Sequence, residues 1–132
     1  MSELSSVILV SEEWRKPKQK HKRLKVWYNI YESPSYPSEI YSNEDCDIFG
    51  FIPRGFNFAH ENVITNLVNL FNTNPTKIAL VLPNIQEAET PYFINKRVIP
   101  NDFVIKNLDS LLNLIMELDL IALQIEESVF IK

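Results

Sequence analysis

The chain has 132 residues, 45% of them hydrophobic and 23% charged, and a formal net charge of −4. This length is enough for one domain and too short for two, and the composition excludes a disordered chain. Cys46 is the only cysteine, which excludes an intramolecular disulfide, and no apolar run approaches the roughly 18 residues of a membrane span. Since the N-terminus also lacks the pattern of an export signal, we expect a cytoplasmic protein that does not associate with membranes.

The first half of the chain predicts three strands followed by a helix. Val7 to Val10 is continuously apolar, as in a strand buried on both faces, and Leu24 to Tyr31 alternates with the period of two that strands have. Ile48 to Ile52 predicts the third strand. Apolar residues at helical spacing then predict a first helix over about residues 58–73, with Asn57 as its cap.

Two segments between these elements have the composition of irregular structure. Residues 15–23 contain a proline and a dense set of basic residues, so we expect the first two strands to form a hairpin with this segment as a long basic tip. Residues 33–47 contain two prolines, four serines and an acidic cluster, which is typical of a surface loop.

A central strand is the next predicted element. Ile78 to Leu82 is uniformly apolar, which indicates a strand with both faces buried, and we expect it to lie beside the first strand. Residues 84–101 are irregular, and within them Tyr92 to Val98 predicts a short strand.

A second helix and a closing strand complete the chain. The helical pattern ends near Asp119, and either Asn107 or Asp102 is its cap. Leu120 to Ile125 predicts the closing strand, alone or as a narrow hairpin with Val129 to Ile131. The sequence therefore predicts a single α+β domain over residues 1–132 in the order βββαβ(β)αβ, with a mixed sheet of about five to six strands and two helices packed on a face of it.

Charge is distributed unevenly along the chain. Residues 15–25, which we call the basic segment, contain seven of the thirteen basic residues and no acidic residue. These residues are Arg15, Lys16, Lys18, Lys20, Lys22, Arg23 and Lys25. Removing their charge from the net −4 leaves −11 on the rest of the chain. Two different kinds of partner are therefore conceivable, one for the basic segment and one for the acidic remainder. The basic segment suits the phosphates of a nucleic acid, and the acidic remainder suits a basic protein.

Acidic residues and tyrosines occur together in the predicted loops and are the candidate residues for binding a protein partner. The set is Tyr36, Glu39, Tyr41, Glu44, Asp45, Asp47, Glu87, Glu89 and Tyr92. Aromatic side chains amid carboxylates are typical of interface hot spots, and loop tyrosines that close the core fit the same pattern.

Candidate catalytic and metal-binding residues are few. His60 has no second histidine or cysteine three or four residues away, and Cys46 lies between two aspartates whose charges disfavour a reactive thiolate. Asp45 and Asp47, two residues apart, point the same way on an extended segment and suit Mg²⁺ or Ca²⁺, but without further ligands a solvated acidic loop is favoured. The chain also lacks glycine-rich phosphate loops and nucleophile motifs, so we expect no enzyme, no cofactor and no metal.

These observations favour a non-enzymatic binding protein. The leading hypothesis is a bacterial immunity protein or antitoxin-like inhibitor that masks a basic toxin domain, for example a nuclease, with its acidic surface. The alternatives are a nucleic-acid-binding regulatory module that acts through the basic segment, and an acidic secretion chaperone.

Overall fold

The computed structural model describes residues 3–12, 19–21, 24–29, 41, 45–84, 90–100, 102–103 and 107–131, and for residues 24–29 and 127 it describes the backbone alone. Within these ranges the chain forms a six-stranded mixed sheet, a second sheet of two strands and two helices. The predicted α+β class and the order of its elements are confirmed, and the structure adds one strand of two residues before the first helix.

The bounds of the elements agree with the predicted ones to within a few residues, except at the first helix. The strands are β1 (Val7–Ser11), β2 (Leu24–Asn29), β3 (Ile48–Ile52), β4 (Asn57–Phe58), β5 (Ile78–Pro83), β6 (Tyr92–Asn95), β7 (Ile121–Ile125) and β8 (Phe130–Ile131). The helices are α1 (Val63–Asn72) and α2 (Leu108–Glu117), and a turn of 3₁₀ helix covers Glu127–Val129. Helix α1 begins later than predicted because residues 57 and 58 form β4, which pairs with β8.

Five of the six strands of the main sheet run in one direction. The strand order is β2-β1-β3-β6-β5-β7. Strand β1 is parallel to both β2 and β3, β5 is parallel to β7, and β6 is antiparallel to both of its neighbours, β3 and β5. Since parallel neighbours need a crossover connection, β5 and β7 are joined by a connection that includes both β6 and α2.

Three predicted strand pairings are wrong. Strands β1 and β2 are neighbours but parallel, so residues 15–23 are not the tip of a hairpin. Strand β5 does not lie beside β1, because β3 and β6 lie between them. Strand β8 pairs with β4 and not with β7. The first and third of these errors came from pairing strands that follow one another in the chain.

Both faces of the sheet are covered, and the expectation that the helices share one face is wrong. One face packs against α1 through Val63, Ile64, Leu67, Val68 and Phe71. The opposite face packs against α2 through Leu111 and Ile115. This arrangement explains why β1 and β5 are buried along their whole length, since the side chains of residues 7–10 and 78–82 all belong to one of the two cores.

Strand β5 contains one residue more than the stretch of β7 that it pairs with. Ile78 is opposite Ile121 and Leu80 is opposite Ala122, so Ala79 is an extra residue that forms a bulge. As a result Ala79 and Leu80 both belong to the core on the α2 side, whereas Ile78 belongs to the core on the α1 side.

The two helices begin with different capping contacts. At α2, Asn107 has extended backbone, and its Oδ1 accepts a hydrogen bond of 2.8 Å from the backbone N–H of Ser110. Asn107 is therefore the cap, and it was one of the two predicted alternatives. At α1, Asn62 precedes the helix and its side chain makes no capping bond. There the Oε1 of Gln19, far away in sequence, accepts a hydrogen bond of 2.9 Å from the backbone N–H of Ile64.

Helix α2 ends in a left-handed residue. Asp119 has a φ of 54°, and its backbone N–H donates to the carbonyl of Met116. The N–H of the next residue, Leu120, donates to the carbonyl of Ile115 over 2.9 Å. These two bonds form a Schellman motif, which satisfies carbonyls at the helix end and turns the chain into β7.

The two asparagines that precede the helices provide a matched test of capping. Asn107→Ala should lower the free energy of unfolding by about 1 kcal/mol, because it removes the side-chain acceptor for the N–H of Ser110. Asn62→Ala should lower it by less, because no side-chain cap is lost. Urea denaturation of both variants followed by circular dichroism measures the difference, and equal losses would contradict the assignment of Asn107 as the cap.

Candidate functional site

The structure describes five of the predicted binding residues as complete side chains. They are Tyr41, Asp45, Asp47, Tyr92 and Lys20. The acidic and aromatic candidates Tyr36, Glu39, Glu44, Glu87 and Glu89 lie outside the described residues, as do the basic candidates Arg15, Lys16, Lys18, Lys22 and Arg23. Lys25 lies in β2, where the backbone alone is described.

Asp47 is a structural carboxylate at the start of β3. Its Oδ2 accepts hydrogen bonds from the backbone N–H groups of Ser5 and Ser6, at 2.8 and 3.1 Å. Its Oδ1 accepts a hydrogen bond of 2.7 Å from Nε of Arg97, and a second nitrogen of the same guanidinium lies 2.6 Å away. This two-point contact of Arg97 is a strong form of carboxylate pairing. Asp47 therefore joins the segment before β1 to the turn after β6.

The pKa of Asp47 reflects these contacts. Burial alone would raise the pKa of this carboxyl, but the backbone donors at Ser5 and Ser6 and the charge of Arg97 outweigh it, so the pKa lies below its ordinary value. Asp45 also lies near the guanidinium of Arg97, at 3.6 Å, but its side chain is 87% exposed. The two carboxylates thus meet at one arginine, which the sequence analysis did not identify because Arg97 is 50 residues from Asp47.

Tyr41 is a core residue. Its side chain is completely buried, its ring packs edge-on against Phe49 with centroids 5.4 Å apart, and its hydroxyl lies within hydrogen-bond distance of the carbonyls of Ile99 and Pro100. Burial raises the pKa of the Tyr41 hydroxyl, which keeps it neutral. Tyr41 therefore presents no surface to a partner, and its aromatic ring closes the core.

Lys96 is a buried cation that the sequence analysis did not select. Its Nζ donates to the backbone carbonyl of Tyr41 and lies 4.7 Å from the centroid of the same ring. A carbonyl acceptor and an aromatic face both compensate part of the cost of removing an ammonium group from water. Lys96 therefore holds Tyr41 in place.

Tyr92 lies at the margin of the core. It is half-buried, and its ring lies 5.5 Å from that of Phe51 on the neighbouring strand. Burial raises the pKa of the Tyr92 hydroxyl. Of the predicted aromatic anchors that the structure describes, Tyr92 is the one with surface accessible to a partner.

The described part of the basic segment lies against helix α1. Lys20 pairs with Glu61 at 2.8 Å, and the charge and hydrogen bond of Glu61 raise the pKa of Lys20. Gln19 donates from Nε2 to the carbonyl of His60, and His21 lies 2.6 Å from the carbonyl of Ser5 through its Nε2. These contacts show that residues 19–21 are anchored on the domain, and one of the seven clustered cations has an acidic partner.

The C-terminal segment, which we define as residues 107–131, has five acidic residues and no lysine or arginine. Four of these acids have exposed side chains: Asp109, Glu117, Asp119 and Glu126. Among them lie the exposed apolar side chains of Met116 (78%), Leu118 (43%) and Ile121 (38%), at the end of α2 and the start of β7. An apolar patch with a charged rim is the composition of a protein interface.

Asp119, Glu126 and Glu127 belong to the acidic remainder of the chain that suits a basic protein, but they were not among the candidate binding residues, which were chosen from the loops that also contain tyrosines. The absence of basic residues over 25 consecutive positions was the available signal. The exposure of Met116 and Leu118 was not predictable, because both continue the apolar pattern of a helix that faces a core.

The described ranges contain neither a metal-binding cluster nor a membrane-spanning helix. No group of three His, Cys, Asp or Glu side chains lies close enough there to hold a metal ion. Cys46 is buried, and its Sγ lies 3.3 Å from the carbonyl of Ile48. No helix in the same ranges has the length and hydropathy to cross a membrane.

Comparisons with known proteins add no relative. No protein-family model, no curated protein and no solved structure matches the chain significantly.

The role of Asp47 can be tested by its dependence on pH. Asp47→Asn should lower the free energy of unfolding at pH 7 by about 1–3 kcal/mol, since hydrogen bonds to a charged group are lost. Because the pKa of Asp47 is lowered on folding, its stabilisation is complete above the unfolded value of about 3.9 and disappears as the pH falls through the folded value. The difference in free energy of unfolding between Asp47→Asn and the wild type, measured by urea denaturation, should therefore decrease from pH 5 to pH 2.

Asp45→Asn is the matched control for this experiment. Its side chain is exposed and its distance to Arg97 is longer, so the variant should change the free energy of unfolding by less than about 0.5 kcal/mol at any pH. A loss as large as that of Asp47→Asn, or a loss for Asp47→Asn that does not depend on pH, would show that Asp47 does not stabilise the fold through its charge.

Proposed function

We propose that this protein is a non-enzymatic inhibitor of the immunity or antitoxin type, which binds a basic toxin domain, for example a nuclease, and masks it. The observation that carries the proposal is the C-terminal segment, which combines exposed carboxylates with exposed apolar side chains and contains no lysine or arginine. A cationic surface would be attracted by the carboxylates and would bury Met116, Leu118 and Ile121 on contact.

The acidic loop that the sequence favoured supports the proposal less well. Asp47 is committed to Arg97 and to two backbone N–H groups, and Tyr41 is buried. The exposed carboxylates of Glu117 and Asp119 have no lysine or arginine within ion-pair distance among the described side chains. We therefore propose the C-terminal segment as the partner-binding surface, and of the original set the exposed Asp45 and the half-buried Tyr92 remain accessible.

Nucleic-acid binding through the basic segment is the second candidate and has less support. Lys20, the member of that segment with a described side chain, is paired with Glu61. The acidic C-terminal segment would also repel phosphates. Filter binding of DNA and RNA at two salt concentrations tests this alternative, and tight binding that weakens steeply with salt would favour it over the proposal.

Charge reversal on the C-terminal segment tests the proposed function. The chain is co-expressed with the product of the adjoining reading frame as the candidate toxin, and growth is scored together with the affinity of the purified pair. The double variant Glu117→Lys, Glu126→Lys should lose protection and bind about tenfold more weakly, chiefly through slower association, because the attraction for a cationic surface is removed.

The matched control reverses the same number of charges elsewhere. Glu3→Lys combined with Asp102→Lys gives the same net charge and alters exposed acids outside the C-terminal segment, so protection should persist. Loss of protection in both double variants would indicate a nonspecific effect of net charge, and no protection by the wild type would count against an inhibitor of that toxin.

A further inference from the structure

Strand β7 forms one edge of the main sheet. It is the last strand in the order β2-β1-β3-β6-β5-β7, and no described strand lies beyond it. Unlike β1 and β5, which are fully buried, β7 has exposed side chains at Ile121, Ala122 and Gln124. The edge is therefore accessible along most of its length.

The hydrogen bonds of β7 show which backbone groups face outward. The N–H of Ile121 donates to the carbonyl of Lys77, and the carbonyl of Ile125 accepts from the N–H of Asn84, so residues 121 and 125 face β5. Because successive residues of a strand direct their N–H and C=O groups to opposite sides, Ala122 and Gln124 direct theirs away from the sheet. Such a row of outward donors and acceptors is a template for another strand.

Acidic side chains lie at both ends of this edge. Asp119 is two residues before β7 and Glu126 directly follows it, and both are exposed. The five residues of β7 lie between them, and an extended strand of that length spans about 17 Å. Lys77 lies near one end, where its Nζ donates to the backbone carbonyl of Asp119 and leaves the carboxylate exposed.

This charge pattern selects the occupant of the edge. A second copy of the chain would bring β7 against β7 and place acid near acid, which is unfavourable. A segment with lysine or arginine near its ends would instead meet a carboxylate at each end, and apolar or β-branched residues between them would cover Ile121.

We propose that the outer edge of β7 pairs with an extended, basic segment of the partner protein, so that the partner adds a strand to the main sheet. This inference rests on the proposed function, and it specifies the mode of binding and the chemistry of the bound segment. Backbone hydrogen bonds to Ala122 and Gln124 hold the segment, and Asp119 and Glu126 select its charge.

A peptide titration with the full chain tests the inference. The probe is a nine-residue peptide of alternating lysine and valine, capped at both ends. It should bind and should slow amide exchange at Ala122 and Gln124, which are its hydrogen-bonding partners. Gln124→Pro removes an outward N–H on an edge strand, where proline is tolerated, and should weaken binding about tenfold, the effect of losing one hydrogen bond.

Two controls separate backbone pairing from other effects. Gln124→Ala keeps the N–H and should bind as the wild type does. The same peptide with its central five amides N-methylated cannot pair through either edge, and it should not bind even though the protein is unchanged. If Gln124→Pro does not fold, the methylated peptide alone decides, and equal affinity for both peptides would overturn the inference.

The remaining outcomes distinguish the inference from the proposed function. Loss of binding in Glu117→Lys, Glu126→Lys with no effect of Gln124→Pro or of N-methylation would overturn strand pairing and leave an acidic binding surface intact. Peptide binding as expected, with no protection against the candidate toxin, would count against the inhibitor function alone. Equal binding of a glutamate–valine peptide, protection of the same amides by a single-stranded oligonucleotide, or dimerisation that Gln124→Pro abolishes would each overturn the proposed occupant.

Discussion

The carboxylate of Asp47 is the contact on which the alignment of three central strands depends. It accepts from two backbone N–H groups before β1 and from the guanidinium that follows β6, while its own backbone N–H lies within reach of the carbonyl and hydroxyl of Ser6. One side chain thus sets the starting level of β1 and β3 and the end of β6. Asn95 plays a related part, since its amide nitrogen donates to the carbonyls of Pro75 and Ile78 and so joins β6 to β5.

Local pattern predicted the elements of this fold, but not their pairing. The apolar runs of β1 and β5 were sufficient to identify both strands, and Asn107 was correctly among the caps of α2. The direction of β2 was not predictable, because a parallel pairing with β1 depends on a crossover held by distant contacts such as that of Gln19 with Ile64. The packing of a helix on each face of the sheet could have been deduced, since a strand that is apolar throughout needs a core on each face.

The proposed binding surface was harder to predict than the fold, because charge acts through partners that are distant in sequence. Asp47 belonged to an acidic cluster by local composition, yet Arg97 neutralises it, and Lys20 is likewise paired with Glu61. What remains accessible is the acidic end of α2 and the edge of β7, where electrostatic attraction and unpaired backbone groups occur together. A partner that offered only positive charge, or only an extended strand, would make only one of these two kinds of contact.

The bulge at Ala79 has a consequence for how the exposed edge behaves in a crowded solution. A bulge increases the local twist of a strand pair, and this one lies in β5 opposite the start of β7. Amyloid-like stacking requires flat strands in register, and a twisted edge with a carboxylate at each end is a poor template for it. The same geometry that leaves β7 open to one matched segment therefore protects the protein against indiscriminate self-assembly.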